Sequence, residues 1–155
     1  MTVGQRTGRV AVPLRERDLD HQNHVYHGVM LTLLDEGRVR FFADYLGIEE
    51  AASYVVVRVE LDYHTETVLA DGPLTIEYAV ERAGTTSVRT LESVMTVTGR
   101  RVATAVITCV LWDAETRAPR ALTTAERERL ERFATPPPLG EVVEIAGAEV
   151  LGTER

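Results

Sequence analysis

Apolar residues return at every second position in four successive runs between residues 53 and 112, and this period constrains the chain more than any other feature. In residues 53–64, Val55, Val57, Val59, Leu61 and Tyr63 alternate with Arg58, Glu60, Asp62 and His64. In residues 74–82, Leu74, Ile76, Tyr78 and Val80 alternate with Thr75, Glu77 and Ala79. Residues 87–98 set Val88, Thr90, Glu92, Val94, Thr96 and Thr98 against Arg89, Leu91, Ser93, Met95 and Val97, so the inner face switches or is shared. The run at residues 102–112 is the most apolar. Asp71-Gly72-Pro73, Ala83-Gly84-Thr85 and Gly99-Arg100-Arg101 are turn signals between the runs. Strands joined by short turns run antiparallel, so the spacing predicts a four-stranded antiparallel meander. A shorter run at residues 9–15 reads as another strand, which Pro13 confines to an edge or an end.

Only one long segment carries the helical period. Met30, Leu33, Leu34, Gly37, Phe41 and Tyr45 recur at i, i+3, i+4 and i+7, while Asp35, Arg38, Arg40 and Asp44 fall mostly elsewhere. Gly37 on the apolar stripe lets something approach the helix closely, and Gly47 supplies the stop. Just before this helix, residues 18–27 crowd together Asp18, Asp20, His21, His24, His27 and the only asparagine of the protein, Asn23. They have no sustained period, so they read as a loop that enters the helix near Val25 to Gly28. The free N–H groups of the first turn then belong to about Tyr26 through Met30, at the positive end of the helix dipole. Thr123-Thr124-Ala125-Glu126 matches a capping box and opens a short second helix with Leu130 and Phe133 on its apolar face. Thr135-Pro136-Pro137-Pro138 ends regular structure, leaving a domain at residues 8–134 and a tail at residues 135–155.

One helix with one apolar stripe has to lie on one face of one antiparallel sheet, which makes an α+β two-layer domain. A chain of 155 residues suits a single such domain. The lone Cys109 lies in an apolar run and reads as a buried reduced thiol, so a reducing, cytoplasmic setting is expected. The first twelve residues carry Arg6 and Arg9 with no long apolar core, and no apolar run approaches the ~20 residues of a membrane helix, so no membrane insertion is expected. A net charge of −7 argues against nucleic acid as a general partner. All 17 basic residues are arginine, which excludes Schiff-base chemistry and a lysine base on this chain. The strand at residues 53–64 falls at or near a sheet edge, where pairing with a second copy removes the open edge. A homodimer is expected, able to pair again into a homotetramer, with each site between subunits.

A curved antiparallel sheet wrapped around one long central helix is the hot-dog fold, and here a resemblance becomes specific. Asp18-x-Asp20-x-x-x-x-Val25-Tyr26-His27, followed by a helix containing Leu34-Asp35-Glu36-Gly37-Arg38, resembles the hot-dog acyl-CoA thioesterases of the 4-hydroxybenzoyl-CoA thioesterase type. Within that group it is similar to the branch associated with the Tol-Pal cluster of the cell envelope. The likeness spans about residues 8 to 133, with Gly84-Thr85-Thr86-Ser87 opening a strand and Asp113 closing the last one. It implies an acyl-thioester hydrolase in which Asp20 is the catalytic carboxylate and His27 stands beside it at the helix start. Three positions depart from the pattern. Glu16 replaces a tyrosine of that branch, Asn23 replaces a glycine, and Tyr26-His27 stand where a related branch has Asn-Asn. A rival pattern also fits: Glu36 follows the His27-Gly28 pair nine positions after the histidine, as in phenylacetyl-CoA-type thioesterases that carry the acid on the helix.

Thioester hydrolysis needs a carboxylate that attacks or deprotonates water, and N–H donors aimed at the carbonyl oxygen as it becomes an oxyanion. The loop-to-helix junction offers both, with Asp20 as the acid and the backbone N–H of His27 or Gly28 as the donor. Asp20 can equally serve as a turn-former or as an anion at the helix N-terminus. Glu36, next to Asp35, reads first as a solvated helix face or an ion-pair partner of Arg38 and Arg40, and as a catalytic acid only second. His21, His24 and His27 lack the spacing that puts two metal ligands on one helical face, so no metal and no cofactor is expected beyond coenzyme A as part of the substrate. An acyl-CoA or acyl-carrier-protein thioester is the expected partner. The candidate substrate contacts are Asn23, Gly28, Arg58, Thr85, Thr86, Ser87 and Arg89, the last four for pantetheine or phosphate. Two other classes remain open: a hot-dog enoyl-CoA hydratase, and a non-catalytic acyl-CoA-binding protein.

Overall fold

The computed structural model describes residues 7–49 and 53–134, and the tail at residues 135–155 lies outside them. Strand β1 (Gly8–Val12) and a 3-10 turn at Glu16–Asp18 lead into helix α1 (His27–Phe41). The helix loosens into a π-turn, Phe42–Leu46, that ends at Gly47 with φ 72°, the left-handed stop its position predicts. Then come β2 (Tyr54–Tyr63), β3 (Leu74–Ala83), β4 (Ser87–Met95), β5 (Arg101–Asp113), the two-residue β6 (Ala118–Pro119) and helix α2 (Thr124–Glu131). The expected capping box is present: Thr123 accepts from the Glu126 amide at 3.1 Å, and the Glu126 carboxylate accepts from the Thr123 amide at 2.9 Å.

The order across the sheet is β1-β3-β4-β5-β2, with β6 paired to β5. This corrects the expected meander. β3, β4 and β5 do follow one another antiparallel, but β2 pairs with β5 at the far edge and β1 takes the place beside β3. The stretch between β2 and β3 is a crossover, long enough to hold its own 3-10 turn at Leu69–Asp71. The crossover gives β5 a long neighbour along both edges, and β5 is the strand whose backbone most needs them. Its Val102, Ala103, Ala105, Ile107, Cys109 and Leu111 are all buried.

The sheet curls, and α1 packs against its inner face. Leu33, Leu34 and Phe41 of α1 meet Leu74, Ile76 and Tyr78 of β3 together with Val88, Val94, Ile107 and Leu111. The close approach expected at Gly37 is Tyr78. Its ring stacks on Phe41 with centroids 4.7 Å apart, and its hydroxyl donates to the Leu34 carbonyl at 3.1 Å. A Cβ at Gly37 would fall 2.2 Å from that hydroxyl.

Two details of the expected pattern change. A bulge at Val57 resets the alternation of β2, so Val56, Val59, Leu61 and Tyr63 stand opposite the inward-facing Cys109, Ile107, Ala105 and Ala103. Val57 itself is 58% exposed. On β4 the inner face is Val88, Thr90, Glu92 and Val94, and Glu92 is balanced by Arg38, which is 2% exposed in the last turn of α1. Arg38 donates to both Glu92 oxygens, at 2.7 and 2.9 Å, and to Asp35 at 3.0 Å, while Thr90 adds a bond to Glu92 at 2.8 Å. Burial alone would lower the pKa of Arg38, but the Glu92 carboxylate outweighs it and holds the guanidinium charged.

Candidate active site

The loop before α1 is fixed by its own backbone and by the crossover. Tyr26 donates its amide to the Asp18 carbonyl at 2.9 Å, Val25 to the Thr67 carbonyl at 2.7 Å, and His24 bridges to Val68. Asp18 is structural, since its carboxylate accepts from the Arg15 amide at 2.8 Å and closes the 3-10 turn. Asn23 takes a left-handed conformation, φ 60°, which accounts for an asparagine at a position where glycine is usual.

Asp20 is half-buried in the turn of this loop. Its Oδ1 accepts from the amides of Gln22 at 2.8 Å and His24 at 3.2 Å, and its Oδ2 has no partner among the described residues. The Gln22 amide, more than any other group, draws its carboxyl below the usual aspartate range, with His24 and His21 adding to the effect. The turn-forming and reactive readings of Asp20 are therefore compatible: one oxygen holds the turn and leaves the other without a partner among the described residues.

Helix α1 opens at His27 with no side-chain cap. Val29 and Met30 donate back to the Tyr26 carbonyl, so among the described residues the amides of His27 and Gly28 alone in this first turn have no acceptor. The Tyr26 ring folds over Gly28, where an added Cβ would come within 2.9 Å of it, and tilts against the His27 ring at a centroid distance of 4.3 Å. Asp20 and His27 line one cleft of about 260 Å³ with His24, Met30, Tyr63 and His64, and Thr65, Glu66 and Thr67 of the crossover complete its rim. Asp20 also borders a second depression walled by Leu19, Val68 and Leu69.

Tyr63 and His64 also line this cleft, and neither is a candidate from the sequence. Tyr63 donates its hydroxyl to the His27 carbonyl, and His64 bonds Thr104 at 2.8 Å. Their alternation marked them only as the end of a strand, and the loop they face is far away in sequence.

The other candidates lie elsewhere. Glu36 is not among the residues lining the cleft, and its carboxylate meets Arg15 at 3.3 Å. Arg58 pairs with Glu60 at 2.7 Å, and Arg89 pairs with Glu81. The turn carrying Thr85, Thr86 and Ser87 is stitched into the fold by its backbone: the Thr86 carbonyl accepts from Leu111 and the Thr85 carbonyl from Leu122. Tyr63 pairs with Ala103, which pairs with Val94 on β4, whereas Ser87 starts that strand. At ~3.3 Å per residue the turn is therefore roughly 23 Å along β4 from the cleft of the same chain. Among the described residues no cluster of three or more His, Cys, Asp or Glu side chains could hold a metal ion. Cys109 is buried, which pushes its thiol up to about 12 and leaves it unreactive. No helix among the described residues is long and apolar enough to cross a membrane.

Residues 14–144 match the thioesterase-like superfamily. No curated protein matches the chain. Among solved structures, a thioesterase from Thermus thermophilus, complexed with coenzyme A and Zn, is 29% identical with a TM-score of 0.71, over 84% of this chain and 96% of that one. The probable thioesterase YbaW from Escherichia coli is 28% identical with a TM-score of 0.61, over 83% of this chain and 98% of that one. A protein described as a predicted thioesterase from Bacillus stearothermophilus shares the fold at 20% identity, with a TM-score of 0.74 over 86% of this chain and all of that one. With the family matched over most of its length and the curled sheet closed on one helix, this hot-dog chain belongs to the thioesterase-like superfamily.

Proposed function

We propose that the chain hydrolyses the thioester of an acyl-CoA or an acyl-carrier protein to free acid and thiol, in the manner of the 4-hydroxybenzoyl-CoA type. The observation that carries this reading is that Asp20, with one carboxylate oxygen unpartnered among the described residues, lines one cleft with His27 at the start of α1, where the His27 and Gly28 amides have no acceptor. The thioester carbonyl sits on the amides. Either Asp20 takes a proton from a water that attacks the carbonyl carbon, or it attacks that carbon itself to form an anhydride that water then hydrolyses. In both routes the negative charge passes to the carbonyl oxygen, its collapse breaks the C–S bond, and the departing thiolate takes up a proton from solvent. The coenzyme A bound to the Thermus thermophilus thioesterase supports the same carrier here. Arg58 and Arg89 already have carboxylate partners, so any phosphate contact by them exchanges one anion for another.

The working unit is a homodimer, with pairing into a tetramer as its extension. β2 is an edge strand whose inward-facing Val56 and Val59 remain 42% and 41% exposed. An apolar stripe along an open edge is what a second copy would cover. Thiol release over a panel of acyl-CoAs of increasing chain length is the test. Turnover with at least one acyl group is expected, and tight binding with no release of thiol would show a binding protein instead. Hydration of an enoyl-CoA without thiol release would move the reading to a hydratase.

A further inference from the structure

We infer that Tyr63 is a positioning residue for the oxyanion donor: its hydroxyl sets the direction and strength of the Gly28 N–H through the His27 carbonyl. The inference deepens the proposed function and rests on that reading. The His27 carbonyl and the Gly28 N–H are the two ends of one planar peptide unit, so whatever fixes the oxygen fixes the line along which the N–H points. Tyr63 donates to that oxygen from the last position of β2, a strand otherwise separate from the start of α1 in sequence and in the sheet. Withdrawing electron density at the carbonyl also makes the amide hydrogen on the same unit a better donor, as happens along chains of hydrogen bonds.

The surroundings agree with this role. Gly28 has no acceptor for its amide among the described residues, so the polarised N–H is available to a ligand. Burial raises the Tyr63 phenol above its ordinary value, which keeps the hydroxyl protonated, as a donor must be, through the neutral range. The Tyr63 ring lines the same cleft as Asp20 and His27, so the group that orients the donor stands beside the group that supplies the carboxylate. The bond also ties the oxyanion site to the edge strand on which a second copy would pair.

The experiment compares wild type with Tyr63→Phe, which keeps the ring and removes only the hydroxyl. With an acyl-CoA that wild type turns over, kcat should fall roughly fivefold, the worth of about one ordinary hydrogen bond, with KM and melting temperature unchanged. Replacing Tyr63 by 3-fluorotyrosine, a stronger donor while protonated, should raise kcat when assayed at pH 6, an effect that packing alone does not produce. Independently of turnover, the backbone 15N resonance of Gly28 should move upfield in Tyr63→Phe, because that shift reports hydrogen bonding at the preceding carbonyl. An unmoved Gly28 resonance, or equal kcat in the two proteins, overturns the inference. Failure of wild type itself to release thiol counts against the proposed function instead, and the resonance still decides the role of Tyr63.

Discussion

Helix α1 carries polar groups in two places, and the fold treats them in opposite ways. In its last turn, Arg38 meets Glu92 out of contact with water and every buried side-chain hydrogen-bonding atom is matched, with Asp35 and Thr90 completing the set. At its first turn, two amides are left unmatched, a tyrosine takes the capping position with no side-chain bond, and one oxygen of Asp20 has no partner among the described residues. Unmatched donors are tolerable only where water or a ligand can reach them, because burying one without a partner costs more than a hydrogen bond returns. The matched cluster is architecture, and the unmatched turn is where chemistry can take place.

The largest effect should come from the architectural side. Arg38→Met strands the Glu92 carboxylate in the core, a loss of ~3–5 kcal/mol and roughly 10 °C or more in melting temperature. Adding Glu92→Leu to that variant should recover most of the loss, since an apolar pair of similar volume replaces a buried ion pair at little cost. Thermal unfolding of the single and double variants measures both. A single variant that melts within about 2 °C of wild type, less than 1 kcal/mol on this scale, would mean that the pair does not hold α1 to the sheet.

On the chemical side, Asp20→Asn keeps an oxygen for the Gln22 and His24 amides but removes the charge. It should lower kcat by at least ~100-fold with little change in KM or melting temperature. The pH dependence follows from the same bonds. The Gln22 amide holds the Asp20 carboxyl below the ordinary aspartate range, so the carboxylate that the proposed hydrolysis uses persists through that range and is lost only as pH falls through the depressed value. The acid limb of kcat/KM should therefore lie below the ordinary aspartate pKa. A limb above it would assign the essential acid to another group.

The contrast between the two regions is only half legible in the sequence. The crowded loop, the helix start and the Asp20 to His27 spacing can be read because the turn around Asp20 is made by local hydrogen bonds, whereas the bonds that tie the loop to Thr67 and Val68 of the crossover leave no local trace. The Thr123 capping box is legible for the same reason. Periodicity sets Arg38 with the polar face, although it stands four residues after Leu34 and three before Phe41, on the stripe itself. Glu92 likewise shares its period with Val88 and Val94. An opposite charge on each of two inner faces is a usable signal for a buried pair, but period alone leaves open which elements meet. The crossing of β2 to β5 is illegible because turn residues such as Asp71-Gly72-Pro73 mark where a chain bends and carry no information on which strand it returns to. Tyr63 in the cleft follows from that crossing, so it is hidden with it.

The smallest expected effect is the one that tests which carboxylate belongs to the reactive region. Glu36 sits nine residues after His27 as the rival pattern requires, yet its carboxylate meets Arg15 at 3.3 Å with both side chains about two-fifths exposed. A pair this exposed contributes on the order of 0–1 kcal/mol, so Glu36→Gln should barely move the melting temperature. Without a place among the residues lining the Asp20 cleft, it should also lower kcat by no more than about threefold, far short of the ~100-fold loss that marks a general base. His27→Ala should fall between the two carboxylate variants, because its backbone amide survives the substitution and only the ring is lost from the cleft wall. Steady-state kinetics on the three variants with one acyl-CoA settles the order. An inactive Glu36→Gln beside a fully active Asp20→Asn would transfer the chemistry to the helix acid. In that event the matched and unmatched halves of α1 would have to be redrawn around Arg15, which also closes the turn on Asp18.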